Sequence, residues 1–547
     1  MKNISLYILL ACSTLWACGQ SNSTHSGTNE AAEEKTEKKI SSRDFGITKA
    51  NSYSTLFLDS AAMEKYLADK AIPDSIARRI RSFYNARNYQ FAWFSSDGLT
   101  EQARGFWNLY DYNITYNRDT LQEDKKLLKR MDNLIAAEKI AVNSTSPNFL
   151  NTEFALTHRF IHYALRNYED GYVKRKEMER FVPRKKEALM AVVDSLLNKK
   201  HKDDKYFEDI NQPYRLLKEQ LGRYYQLAKQ GGWQPITAGT KTLKKGDSTS
   251  AAIPALKRRL QLTGDLPGQD TSRLFNDSLE IAVKTFQERH GFKPDGKVSP
   301  ALVKELNVPV QQRLAALLMN MERMRWMPQR PAGNLILVNI PEFVLHVYEG
   351  KNRAWDMNVV VGKEGSSTMM FTGDLNQIVF SPYWNVPQSI VQDEIVPAMA
   401  KDPGYLDRQN MEITGEEDGL PVVRQRPGPD NSLGSVKFLF PNSFNIYFHD
   451  TNAKSLFSRA KRAFSHGCIR LEEPERMAQY LLRHQPEWTP EKIREAMDSG
   501  QEKWVKLKDP VPVFITYYTA WVDDSGRLNF REDIYGHDKR LQEKMFQ

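Results

Sequence analysis

The chain has 547 residues, 77 lysines and arginines against 68 acids, and a formal net charge of +9. At about 150 residues per domain this length predicts three or four domains, large enough to fold without disulfides. Three cysteines make no disulfide framework, and there is neither zinc-finger spacing nor an RNA-binding signature, so the basic excess points to an anionic envelope polymer or a membrane and away from nucleic acid.

The first 17 residues read as a signal peptide: Met1-Lys2-Asn3 is basic, and residues 4–17 are apolar but too short to span a bilayer. Leu15-Trp16-Ala17-Cys18-Gly19 resembles a bacterial lipobox, which implies that Cys18 is lipidated and becomes the mature N-terminus. Trp16 departs from the small residue usual at its place. Leu9-Leu10-Ala11-Cys12 is a competing match with a shorter apolar core, and an ordinary cleaved signal is the alternative. Residues 18–50 are rich in Ser, Thr, Asn, Glu and Lys, the composition of a disordered tether. The expectation is an exported, lipid-anchored protein of the bacterial periplasm, held at the outer membrane.

Residues 51–240 read as a helical scaffold. Apolar residues recur at helical spacing over 75–84, 154–168, 186–197 and 214–227. The aromatic run at 88–94, followed by an Asp97-Gly98 turn, reads as core. Residues 244–307 form a compact unit with helices over 253–262, 279–290 and 299–306, the second anchored by Ile281, Val283 and Phe286, the third capped by Ser299. Its residues Phe286-Gln287, Gly291-Phe292 and Asp295-Gly296-Lys297-Val298-Ser299 resemble the small three-helix peptidoglycan-binding domain of wall enzymes.

Residues 308–547 begin with a helix over 310–326 that carries Leu314, Leu317, Leu318 and Met321 on one stripe. After Pro328 the pattern turns to strands: 335–340, 343–348, 355–361, 378–386, 445–449 and a long late strand over 511–522. Helices follow at 473–483 and 490–497. Residues 388–443 interrupt the strands with a helix and Gly/Pro-rich segments, an insertion that reads as a cap. The fold class is multidomain α+β: helical scaffold, three-helix unit and a mostly β domain with an inserted cap.

Once the leader is removed and Cys18 carries lipid, Cys468 is the one free thiol. It sits in Ser465-His466-Gly467-Cys468-Ile469-Arg470, nineteen positions after His449. A free thiol has a pKa near ~8.5, and a neighbouring imidazole raises its thiolate fraction. If His449 faces Cys468, one ring nitrogen takes the thiol proton and the other needs an acceptor, for which the Asp450 carbonyl or side chain is near in sequence. Gly467 lets backbone approach a substrate, and the N–H groups of Gly467 and Cys468 are candidate oxyanion donors. Two readings compete with nucleophilic catalysis: a zinc site of His449, His466 and Cys468, and a buried cysteine among satisfied core histidines.

His449, fifteen intervening residues and Ser-His-Gly-Cys-Ile-Arg resemble the signature of the L,D-transpeptidases with a YkuD-type catalytic domain. Ser381-Pro382-Tyr383-Trp384-Asn385-Val386-Pro387 is similar to a cleft-lining segment of the large members, and 515–521 to their closing strand. The last motif position is often Asn, where this chain has Arg470. The resemblance implies a cysteine nucleophile (Cys468), a histidine base (His449), and an oxyanion and positioning group of Gly467, His466, Tyr447, Asp450 and Ser465. Tyr383, Trp384 and Arg470 become substrate-contact candidates. It implies no metal or organic cofactor, tetrapeptide stems of peptidoglycan as donor and acceptor, a 3→3 cross-link as product, and reaction with carbapenems. An L,D-carboxypeptidase, a hydrolase releasing wall-linked peptide, and a non-catalytic wall-binding lipoprotein are the alternatives.

Overall fold

The computed structural model describes residues 40–117, 124–137, 139–168, 181–198, 211–237 and 241–547. The leader, Cys18 and the tether as far as residue 39 lie outside the described residues. The tether reading runs on to residue 50, but residues 41–51 are docked: Ile47 is buried, and Asp44 N–H donates to the Asn85 carbonyl at 2.9 Å. Among the described residues no helix is long and apolar enough to cross a membrane.

Ile76, Ile80, Phe83 and Tyr84 recur every three or four residues and are buried along one side of the helix Asp74–Asn85. They meet the aromatic run, whose Phe91, Trp93 and Phe94 are fully buried. Trp93, Phe106 and Phe160 form a cluster with ring centroids 5.3–5.5 Å apart. The helix Val310–Arg325 packs its Leu314, Leu317, Leu318 and Met321 stripe into this same core. Gly105 is needed where that helix ends, because a Cβ there would lie 2.7 Å from Trp326 Cβ. Arg323 then joins Glu101 of the helix Glu101–Asn117 to Asp538 of the C-terminal helix His537–Met545, each at 2.5 Å.

The three-helix unit has helices Ala252–Thr263, Asp277–Arg289 and Pro300–Leu306, and Ser299 Oγ caps the third by accepting from Leu302 N–H at 3.2 Å. Ile281 is not one of its anchors. It is 65% exposed, because Leu279, Val283 and Phe286 define the buried face and Ile281, two residues from either neighbour on that face, points to the other side.

The C-terminal strands are β1 (Asn334–Asn339), β2 (Val344–Glu349), β3 (Asn352–Gly362), β4 (Phe371–Phe380), β5 (Trp384–Asn385), β6 (Met411–Glu417), β7 (Leu420–Gln425), β8 (Val436–Leu439), β9 (Phe448–His449), β10 (Ala463–Ser465), β11 (Ile469–Leu471), β12 (Lys503–Thr516), β13 (Ala520–Val522) and β14 (Leu528–Phe530). The main sheet runs β10-β3-β11-β9-β8-β4-β12-β1-β2, and pairing of β2 with β3 closes it into a barrel. Its interior is filled by residues such as Ile336, Val359, Ile378, Phe438, Phe448 and Ile469.

Four sequence expectations change here. The cap ends before Val436, not at 443, because Val436 and Phe438 alternate into the barrel core as β8, between β4 and β9. The cap also has its own sheet, in the order β5-β7-β6, over a small core of Val391, Ile395, Met411 and Val423. The late strand breaks after Thr516: Asn339 Oδ1 accepts from Tyr518 N–H at 2.8 Å and Asn320 Oδ1 from Thr519 N–H at 3.0 Å, so side chains replace the ladder partner before β13 begins a separate hairpin with β14. Finally, β9 is only two residues long. Asn442 holds the residues before it in a turn, with its Oδ1 accepting from Phe444 and Ile446 N–H, and Asn445 adopts φ +54°.

Candidate active site

β9 and β11 run parallel, with Phe448 opposite Ile469 and His449 opposite Arg470. One residue back, Tyr447 stands beside Cys468. Phe448 and Ile469 fill the barrel, so strand alternation puts Tyr447, His449, Cys468 and Arg470 together on the outer face.

His449 Nδ1 lies 2.5 Å from the Asp450 backbone carbonyl. A carbonyl only accepts, so the ring proton is on Nδ1 and the Nε2 lone pair is free to take a proton. Burial, and then the charge of Arg470, push the ring's pKa down to about 3, which keeps it neutral. The Asp450 carboxylate does not face the ring. It accepts from Ser435 N–H, Thr451 N–H and Lys454 Nζ.

The Cys468 thiol donates to the Asn445 carbonyl at 3.6 Å, and the residue keeps part of its surface open. Dense surrounding protein pushes the thiol up to about 11, against the opposing effects of Tyr447 and Arg470. The pair therefore rests as neutral thiol and neutral imidazole, whereas the sequence predicts an enriched thiolate. Both charged forms are penalised by the same desolvation.

These residues lie in a segment that other proteins share. Residues 333–513 match the YkuD family, "L,D-transpeptidase catalytic domain"; residues 78–221 match "Scaffold domain"; residues 249–306 match "Putative peptidoglycan binding domain". Residues 333–513 are a YkuD-type L,D-transpeptidase catalytic domain. A Haemophilus influenzae protein named "Putative L,D-transpeptidase" is 30% identical over 285 residues, 49% of this chain and 56% of that protein, so the chain spans little more than half the length of this relative. Among solved structures, an L,D-transpeptidase from Stackebrandtia nassauensis is 13% identical, covering 51% of this chain and 97% of that one at a TM-score of 0.22. One from Mycobacterium smegmatis is 14% identical, covering 34% and 59% at 0.19. At these scores the likeness is local, and the assignment rests on the sequence matches.

Within the YkuD domain the turn of residues 465–468 is built by hydrogen bonds. Ser465 Oγ donates to the Cys468 carbonyl at 2.5 Å and accepts from Gly467 N–H at 3.2 Å. Gly467 N–H is thus engaged and is not a free oxyanion donor, contrary to the sequence reading. Gly467 serves through its backbone, with φ +116°. Its carbonyl accepts from Thr368 Oγ1 at 2.7 Å, and Thr368 Oγ1 accepts from Gly362 N–H at 2.9 Å. Tyr535 OH donates to the Gly362 carbonyl at 2.6 Å. Nothing in the sequence marks Thr368 or Tyr535, each about 70–100 residues from the motif; only the barrel brings them under the turn.

His466 points away from the turn into solvent, where its Nε2 meets Glu394 Oε1 of the cap at 2.8 Å and Lys363 Nζ at 3.5 Å. The Trp384 side chain lies near the Tyr447 phenol. Tyr383 is held at the cap's base: its N–H donates to Glu502 at 2.9 Å, its carbonyl accepts from Lys437, and Arg424 lies 4.2 Å over its ring. Arg470 Nε is buried with no hydrogen-bond partner. Among the described residues no three His, Cys, Asp or Glu side chains are grouped as metal ligands.

Proposed function

We propose that this chain is a cysteine-dependent L,D-transpeptidase that forms 3→3 cross-links between peptidoglycan stem peptides. The observation that carries the reading is a half-open thiol on the same strand face as an imidazole whose Nδ1–H is tied to a carbonyl, leaving Nε2 as base. His449 Nε2 takes the thiol proton as Sγ attacks the carbonyl carbon between the third residue and the terminal D-Ala of a tetrapeptide stem. The Cys468 N–H and the Tyr447 phenol are the donors we assign to the oxyanion. The C–N bond breaks, the imidazolium returns its proton to the departing amine of D-Ala, and a thioester remains. The amine of a second stem then attacks that carbonyl and gives a proton to His449. The C–S bond breaks, and the sulfur takes the proton back.

The unpartnered Arg470 Nε is suited to a stem carboxylate. Residues 249–306 hold the enzyme to the wall, and lipid on Cys18 places it at the outer membrane facing the periplasm. No cofactor takes part. A carbapenem, which offers a strained acyl carbonyl, forms one thioester per chain at Cys468.

The test is mass spectrometry of tetrapeptide stems incubated with the leader-free protein. Cross-linked dimers, loss of D-Ala and no product from Cys468→Ser are expected. Dimers formed by the serine variant at the wild-type rate would refute the nucleophile, and tripeptide alone from the wild type would make the enzyme a carboxypeptidase.

A further inference from the structure

Strand register lines up two rows of side chains across the outer barrel face on which the thiol stands. The first runs Arg470, His449, Lys437, Val379 and Trp504, each opposite the next on β11, β9, β8, β4 and β12. The second starts at Cys468 and Tyr447. Phe438 pairs with Phe448, so Leu439 stands opposite Tyr447; Leu439 pairs with Gln377, and Gln377 with Lys506. Phe438, Phe440, Ile378, Val505 and Leu507 fill the barrel, so alternation turns Leu439, Gln377 and Lys506 outward with Cys468.

The two rows are covered differently. Val379 is fully buried, and Lys437 is nearly so. Lys437 Nζ donates to the Tyr383 carbonyl at 3.2 Å, which brings the base of the cap over the first row. In the second row Cys468, Tyr447, Leu439 and Gln377 each keep part of their surface open, and Lys506 is exposed. An open strip therefore leads from the thiol toward β12, along the foot of the cap. On the other side of the thiol, next to β10, the cap comes down: Glu394 meets His466 at 2.8 Å.

Beside the far end of the strip stands Trp504, 55% exposed. It is not loose. Its Nε1–H donates to Glu502 Oε2 at 2.9 Å, and Lys437 Nζ lies over the ring, 5.4 Å from its centroid. Glu502 Oε1 accepts from Tyr383 N–H at 2.9 Å, so one carboxylate fixes both the indole and the cap's base. A flat ring held by its edge and left open attracts the C–H groups of a sugar face through its negative π surface.

The lengths agree. Four strand spacings of about 4.8 Å put β12 about 19 Å from the thiol. A stem whose third carbonyl is at the sulfur runs back through three residues, about 11 Å at full stretch. The sugar joined to its first residue then lies over β4 and β12, where Trp504 stands.

We propose that the strip over Leu439 and Gln377 is the track of the donor stem, and that Trp504 is a platform for the sugar that carries this stem. The inference rests on the acyl-transfer reading above and adds that the enzyme recognises glycan as well as peptide.

Binding is measured by calorimetry on the leader-free chain carrying Cys468→Ala, so that no chemistry intervenes. The probes are a tetrapeptide stem and the same stem on its disaccharide. The disaccharide should tighten binding about tenfold, the size of one good aromatic contact. Trp504→Ala should remove that gain and leave the bare stem as it was, while Trp504→Tyr should retain most of it. Equal affinities for the two probes, a gain that survives Trp504→Ala, or an equal loss for both probes overturns the proposal. With the thiol restored, release of D-Ala from the disaccharide-bearing donor should show the same difference in KM with kcat unchanged. If Trp504→Ala raises only the KM of the acceptor, the donor track is overturned. A chain that binds as stated but releases no D-Ala sinks the acyl-transfer reading and leaves the sugar platform standing.

Discussion

Replacing His449 with alanine removes the proposed proton acceptor and leaves a thiol that its surroundings hold at about 11. At pH 7 such a thiol is ionised in about one molecule in 10⁴, and each pH unit upward multiplies that fraction by about ten. A positioned general base contributes about 10²- to 10⁴-fold. The variant should therefore be acylated by a carbapenem about 10²- to 10⁴-fold more slowly than wild type near neutral pH. Its rate should climb about tenfold per pH unit, and the deficit should close as the thiol begins to ionise unaided. The wild type should be nearly flat from mild acid to mild alkali. The His449 ring is lowered to about 3, so it stays neutral and available throughout, and that availability is lost only as pH falls toward 3. The assay is rapid-quench intact-protein mass spectrometry across pH. A variant acylated at the wild-type rate at neutral pH, or a deficit that does not change with pH, would refute the assignment of His449 as base.

Glu394→Gln removes the cap carboxylate that meets His466 of the turn at 2.8 Å. Stability should change by less than about 1 kcal/mol, as for exposed pairs, while the ratio of hydrolysed to cross-linked product rises; an unchanged ratio means the contact does not gate water. Gly467→Ala forces a side chain onto φ +116°, a strain of about 1–3 kcal/mol, and should lower Tm and acylation rate together; full activity would show that the turn tolerates another path. His346, buried between Glu342 at 3.1 Å and Asp356 at 2.8 Å, is raised to about 9. Its contribution is complete below its ordinary value of about 6.5 and is lost as pH rises through 9, amounting to about 3 kcal/mol. His346→Gln should be less stable at neutral pH and lose less on going to alkaline pH, read by urea unfolding at each pH.

Much of the molecule is local and therefore legible. Helical spacing in residues 75–84 and 310–325 follows from the 3.6-residue turn, and Ser299 caps its helix by reaching its own backbone three residues on. His449 and Cys468 stand out because their spacing along one chain segment is itself the motif. Where position depends on what packs opposite, sequence falls short. Ile281 is as apolar as Val283, yet only the placement of the neighbouring helices decides which side is covered. β8 is hidden behind Gly and Pro because its role is defined by β4 and β9, far away in sequence. The charge state of Cys468 and His449 is likewise tertiary: a cysteine and histidine in sequence suggest a thiolate, and desolvation by the folded barrel favours the neutral form of both. Thr368 and Tyr535 come under the turn only because barrel closure brings them to one end of the strands, a long-range consequence that no short pattern encodes.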